Sequence, residues 1–203
     1  MRIELRSDNN ILIDGYVNAV ARDSRIMPSI NGEFVEQVVP GTFHKALSRA
    51  RNVDLLLNHN ESRKLGSIIE GNLKLFEDNI GLRAIATITD EEVIEKAIAG
   101  KLKGWSFGFY LNNDRWETDS KGIKRRFLED IELLEVSILD NTKNPAYIAT
   151  SIETRDNKEV LREIRTADFN AVVEDISQVN KNKIINSIYK KELQLLRLRG
   201  GNG

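Results

Sequence analysis

The sequence predicts a mainly β chain with flanking helices, an α+β protein. Residues 1–150 form a closed or nearly closed β-barrel domain, and residues 151–203 form a helical, partly basic tail. Three observations carry this expectation. Short alternating or β-branched runs recur through the first 150 residues, separated by turn residues. Only two segments in that stretch read as helices. From Asp156 onward helix formers take over, and no proline follows Pro145.

The elements follow in order. Arg2–Arg6 alternates, and Ile11–Ala21 is rich in isoleucine, valine and tyrosine, so both read as strands. Glu33–Val39 is a third, closed by the turn pair Pro40-Gly41. Thr42 is placed to cap a helix through Ala50. Val53–Leu57 is a short continuous apolar run ending at Asn58-His59-Asn60, the pattern of a buried strand that delivers polar groups at its end. Leu65–Glu70, Leu73–Phe76 and Leu82–Ile88 read as strands, and a helix begins at Thr89 or Asp90 and stops near Gly100. Trp105–Leu111, Arg115–Glu117, Ile123–Leu128 and Ile131–Leu139 are four further strands, with Asp119–Gly122 as a hairpin loop between two of them. Asp140–Tyr147 is a turn-rich exit. Val160–Ala167 and Phe169–Leu198 read as helices, with Val172, Ile176 and Val179 at helical spacing. Six Lys/Arg face one Glu between Asn180 and Gly203, a net +5 that suits either a solvated helix face or a docking tail for a partner.

Composition narrows the function. Thirty Lys/Arg against 31 Asp/Glu gives a net charge of −1, unlike the strongly basic domain of a dedicated nucleic-acid binder. No apolar run approaches the roughly 20 residues of a membrane span, and the charged, alternating N-terminus is not that of a signal peptide. The absence of cysteine excludes disulfides, thiolate catalysis and thiolate metal sites. With only His44 and His59, a histidine-rich metal site is also excluded.

What remains is a short catalytic inventory. His59 ends an apolar run, where a strand end presents it to a cleft; an ordinary turn histidine fits equally. His44 lies in the first helix and reads as structural. Ser106 sits in Gly-Trp-Ser-Phe-Gly-Phe, a hydroxyl between aromatics with glycines close by, which signals close backbone approach. A core-strand serine explains it too. Glu135 interrupts the apolar strand Ile131–Leu139, a costly place for a carboxylate unless it is paired; orienting an imidazole is one use, and an exposed strand face is the other reading. Glu132 lies on the opposite face of a regular strand.

Together and in this order, five segments resemble the prohead (capsid maturation) proteases of tailed bacteriophages of the HK97 type. They are FVEQVVPGTF (Phe34–Phe43), LLLNHNESRKLG (Leu55–Gly66), LRAI (Leu82–Ile85), GWSFGF (Gly104–Phe109) and LEVSILDNTKNP (Leu134–Pro145). The resemblance spans roughly Gly15 to Ala149. It implies a serine-protease fold related to the herpesvirus assemblins, with His59 as catalytic histidine, Ser106 as nucleophile and Glu135 as the acidic member, Glu132 held in reserve. Trp105 stands where the family has a smaller aliphatic residue, which would alter the substrate pocket. Thr142-Lys143 stands where it often has Pro-Ala.

The implied function is a serine endopeptidase that needs no cofactor or metal. Its substrate would be the scaffolding protein or the major capsid protein precursor, enclosed with it in the procapsid inside the host bacterial cytoplasm. Self-cleavage in the Lys/Arg-rich tail and a homodimer are part of the same implication. Arg125 and Arg126 are candidate oxyanion partners. The competing class is a non-catalytic capsid assembly or scaffolding module, in which the three residues are structural; a carboxylate-metal hydrolase is a third, without a compact acidic cluster to support it.

Overall fold

The computed structural model describes residues 1–6, 9–27, 29, 32–120, 122–142, 151–155, 158–164 and 172–176. Twelve strands and two helices run in the order β1 (Arg2–Leu5), β2 (Ile11–Ala19), β3 (Phe34–Val38), α1 (Thr42–Arg49), β4 (Asp54–Leu57), β5 (Asn60–Ser67), β6 (Leu73–Glu77), β7 (Gly81–Ile88), α2 (Glu91–Ile98), β8 (Leu102–Thr118), β9 (Lys124–Asp140), β10 (Ser151–Arg155), β11 (Lys158–Ile164) and β12 (Val172–Asp175).

These strands make two sheets, and no closed barrel forms among the described residues. The smaller sheet has the order β12-β1-β2-β7-β6; the larger has β10-β11-β8-β9-β4-β5, with β3 also paired to β9. A parallel bridge, Val20 to Val38, links the two. The expected barrel is corrected because the strands are unequal. The runs Trp105–Leu111 and Arg115–Glu117 belong to one 17-residue strand, β8, carried through irregularities at Leu111–Asp114. Likewise Ile123–Leu128 and Ile131–Leu139 merge into β9. This long hairpin serves two short neighbours on one edge: β3 pairs in parallel with Lys124–Leu128, and β4 with Glu135–Ile138.

One apolar core joins the sheets. Ile3, Ile13, Leu82 and Ala84 of the smaller sheet meet Leu55, Trp105, Phe107, Val136 and Ile138 of the larger, with Phe43 of α1 and Val93 of α2 at its margins. On β8, Trp105, Phe107 and Phe109 fill this core, so alternation turns Ser106 and Gly108 to the other face. Trp105 thus packs between the sheets, against Gly15.

The helix ends differ in how they are capped. Asp90 caps α2 through the Val93 amide, 3.0 Å away. Thr42 does not cap α1: its hydroxyl donates to the Leu128 carbonyl, and the residue before the helix is Gly41, at φ 90°. The Glu77 carboxylate, from β6, takes the cap role by accepting from the Gly41 and His44 amides. An acceptor remote in sequence leaves no local signature.

Where the structure describes the expected helical tail, it is strand. The segment expected to be helical from Val160 is strand β11 through Ile164, and Val172–Asp175 is strand β12, parallel to β1. The rest of the 169–198 expectation and the basic stretch 180–203 lie outside the described residues, as does the exit turn beyond Thr142. No helix among the described residues is long and apolar enough to cross a membrane.

Candidate active site

The site forms where β4, β9 and β8 lie side by side in the larger sheet. The apolar run Leu55–Leu57 buries β4 against β9, and the chain reverses immediately after it. Leu57 pairs with Asn60, so Asn58 and His59 are the two central residues of a hairpin turn. Both have positive φ, 56° and 59°, as a tight turn matching strand twist requires. Asparagine and histidine are both among the residues most often found in this region. Hydrogen bonds hold the turn there. The Asn58 amide donates to the Ile138 carbonyl at 2.9 Å, and the His59 amide donates to Ser137 Oγ at 3.0 Å.

This places the imidazole between two partners from different strands. His59 Nε2 lies 2.8 Å from Ser106 Oγ on β8, and His59 Nδ1 lies 2.6 Å from Glu135 Oε1 on β9. All three residues are buried, Ser106 completely. The protons are assignable from chemistry. A carboxylate oxygen accepts, so His59 Nδ1–H donates to Glu135 Oε1 and Nε2 is left as the acceptor facing the serine hydroxyl. Glu135 Oε2 accepts a second bond, 2.7 Å, from Ser137 Oγ. A hydroxyl can thus pass its proton to an imidazole already oriented by a buried carboxylate.

The resemblance singles out His59, Ser106 and Glu135, which the residue patterns alone leave open, and the fold brings these three together. It sets the other candidates apart. Glu132 is exposed, opposite Tyr110. His44 is exposed on α1. Arg125 pairs with Asp23, and Arg126 with Asp114 and Glu36. Both sit nine or more residues before Glu135 on one extended strand, roughly 30 Å away, so they do not serve this site. Among the described residues no group of three or more histidines, aspartates and glutamates could hold a metal ion.

Two supporting residues were missed. Ser137 accepts from the His59 backbone and donates to the Glu135 carboxylate; its signal is the spacing of two from a buried Glu, which puts both on one strand face. Gly108 pairs with Glu135 and leaves room for its carboxylate. Ser137→Ala strands a buried amide and a carboxylate oxygen, which predicts a loss of about 1–3 kcal/mol in chemical denaturation with the slope unchanged.

A second network fixes the turn from behind. The buried Asp140 carboxylate meets Lys96 Nζ of α2 at 2.5 Å and accepts from the Thr142 amide and hydroxyl, while the Asp140 amide donates to Asn58 Oδ1. Burial pushes the Asp140 carboxyl up, but the hydrogen bonds from Lys96 and Thr142 outweigh it and hold it well below the ordinary carboxylate range. A depressed carboxyl stabilises the fold above its unfolded value, 3.8, and the contribution is lost as pH falls through the lower folded value. Asp140→Asn is therefore expected to cost about 1.5–3 kcal/mol near neutral pH. The gap between variant and wild type narrows below about pH 4 in paired denaturation curves.

No curated protein and no solved structure matches the chain. A family model does: that of the caudovirus prohead serine proteases, over residues 1–163, which takes in every strand and side chain of the site just described. The chain belongs to the caudovirus prohead serine protease family.

Proposed function

We propose that this protein is a serine endopeptidase of capsid maturation whose nucleophile is Ser106, whose general base is His59 and whose orienting carboxylate is Glu135. The observation that carries the reading is the unbroken relay from Ser106 Oγ through both ring nitrogens of His59 to Glu135, at 2.8 and 2.6 Å. Ser106 Oγ attacks the scissile carbonyl as His59 Nε2 takes its proton. His59 then protonates the leaving amine, and water releases the acyl group by the same steps in reverse order. Glu135 keeps Nε2 unprotonated in the resting site and offsets the charge the ring acquires.

The substrate is a capsid-related protein, either the scaffolding protein or a scaffold-like segment of the major capsid protein precursor. The enzyme acts inside the assembling procapsid, where confinement raises substrate concentration and relaxes the demand on affinity. The chain's own basic tail is a further target.

The test is intact mass of the capsid precursor after incubation with wild-type protein or with Ser106→Ala. Defined fragments with the wild type alone establish the reading. Identical fragments from both proteins, or an uncut precursor with both, overturn it, the latter in favour of a non-catalytic assembly module.

A further inference from the structure

Strand β8, which carries Ser106, has two edges. β9 takes one along its whole length, from Leu102 opposite Asp140 to Thr118 opposite Lys124. On the other edge β11 lies antiparallel in five successive pairs: Val160 with Tyr110, Leu161 with Phe109, Arg162 with Gly108, Glu163 with Phe107, and Ile164 with Ser106. The backbone beside Ser106 therefore offers one place for an extended peptide, and the chain's own residues 160–164 are in it.

The direction of β11 matters. A protease must hold its substrate extended, with backbone groups paired and the scissile carbonyl beside the nucleophile; adding a strand to a sheet edge does this with main-chain bonds alone. β11 arrives at Ser106 with its C-terminal end, so the residues before Ile164 lie along Phe107–Tyr110. That is the course of the acyl half of a peptide, whose last carbonyl reaches the hydroxyl while the amine half leads away. Two more facts agree. Ser106 is wholly buried with β11 in place. And among the described residues the β10–β11 hairpin joins the larger sheet through β11 alone, since β10 pairs only with β11. A two-stranded hairpin held by one short ladder is an element that can leave as a unit.

We propose that β11 is an intramolecular occupant of the substrate edge of β8: it lies where the acyl half of a substrate docks, and substrate enters only in molecules from which β11 has detached. The inference rests on Ser106 being the nucleophile.

The experiment changes β11 in two opposite ways in the full chain. The native sequence has no cysteine, so Tyr110→Cys with Val160→Cys creates one cross-strand pair, at the end of the ladder remote from Ser106 and at a Cα separation suited to a disulfide. Leu161→Pro with Arg162→Pro removes two consecutive amides, one of which faces β8 whatever the ladder phase. The readout is the rate at which the diphenyl phosphonate of Val-Leu-Arg-Glu-Ile labels Ser106, with Ser106→Ala as blank. The oxidised cysteine variant is expected to label at least about tenfold more slowly than its reduced form, as when the competent fraction falls to one in ten. The proline variant is expected to label faster than wild type. Equal rates in oxidised and reduced forms, or slower labelling of the proline variant, overturn the proposal and make β11 a fixed part of the site. Absence of labelling in every form, the reduced one included, overturns the nucleophile assignment and this inference with it.

Discussion

Glu135→Gln is expected to lower kcat/KM for the capsid precursor by about four orders of magnitude while leaving the fold intact. The reason lies in proton accounting. Glu135 is an acceptor at both oxygens: Oε1 for the His59 Nδ1 proton, Oε2 for the Ser137 hydroxyl. A glutamine of the same shape has one acceptor and one donor end. If its amide nitrogen faces His59, the imidazole must place its proton on Nε2, against Ser106, and the serine loses its base. If its oxygen faces His59, the nitrogen faces Ser137 Oγ, which already accepts from the His59 amide and must give up its present acceptor. Either way the ring loses the fixed negative charge that offsets its own in the transition state. Single-turnover kinetics on the precursor measure the loss, and an unchanged denaturation midpoint separates it from unfolding. A variant with more than about a tenth of wild-type activity would remove Glu135 from the mechanism.

Gly108→Ala is expected to be the next most damaging, although residue 108 has no side chain to contribute. An added Cβ would lie 2.5 Å from Glu135 Oε1 and 3.2 Å from its Cδ. The carboxylate is hemmed in, so it swings off His59 or the strands part. Overpacking of this kind costs about 1–3 kcal/mol of stability. The larger effect is on activity: a displacement of about 1 Å in a reacting array costs on the order of a hundredfold. The decisive comparison pairs Gly108→Ala with Gly41→Ala. Gly41 has open space around its Cβ position but φ of 90°, so alanine there is strained without touching the site. Stability should fall in both variants, and activity per folded molecule only in the first.

Why the three central residues were legible and their supports were not has a physical basis. His59, Ser106 and Glu135 each violate the pattern of their own segment: a polar turn at the end of Val53–Leu57, a hydroxyl among Trp105, Phe107 and Phe109, a carboxylate between Leu133 and Val136. Such local conflicts mark sites. Ser137 and Gly108 violate nothing; a serine or a glycine in a strand is unremarkable until the partner strand and its register are known. The same limit explains the fold. Alternation shows that Arg115–Glu117 is a strand but not that it continues β8 through a bulge, and strand count cannot tell a closed barrel from two sheets sharing one core. In Val160–Ile164 and Val172–Asp175, weak helical spacing gave way to vacant strand edges on β8 and β1, a tertiary override of local preference.

The parallel pairing of β4 with β9 also governs when a newly made chain can bring Ser106, His59 and Glu135 together. Ser106 and His59 are 47 residues apart, and His59 and Glu135 are 76 apart. No local hairpin or partial fold can bring them together; β9 must emerge completely and insert between β8 and β4 before the relay exists. Loop closures of that span form late and cooperatively. Translation of this chain thus carries a built-in delay: the three side chains cannot meet until β9, which lies between β8 and β4 in the larger sheet, has been made and inserted.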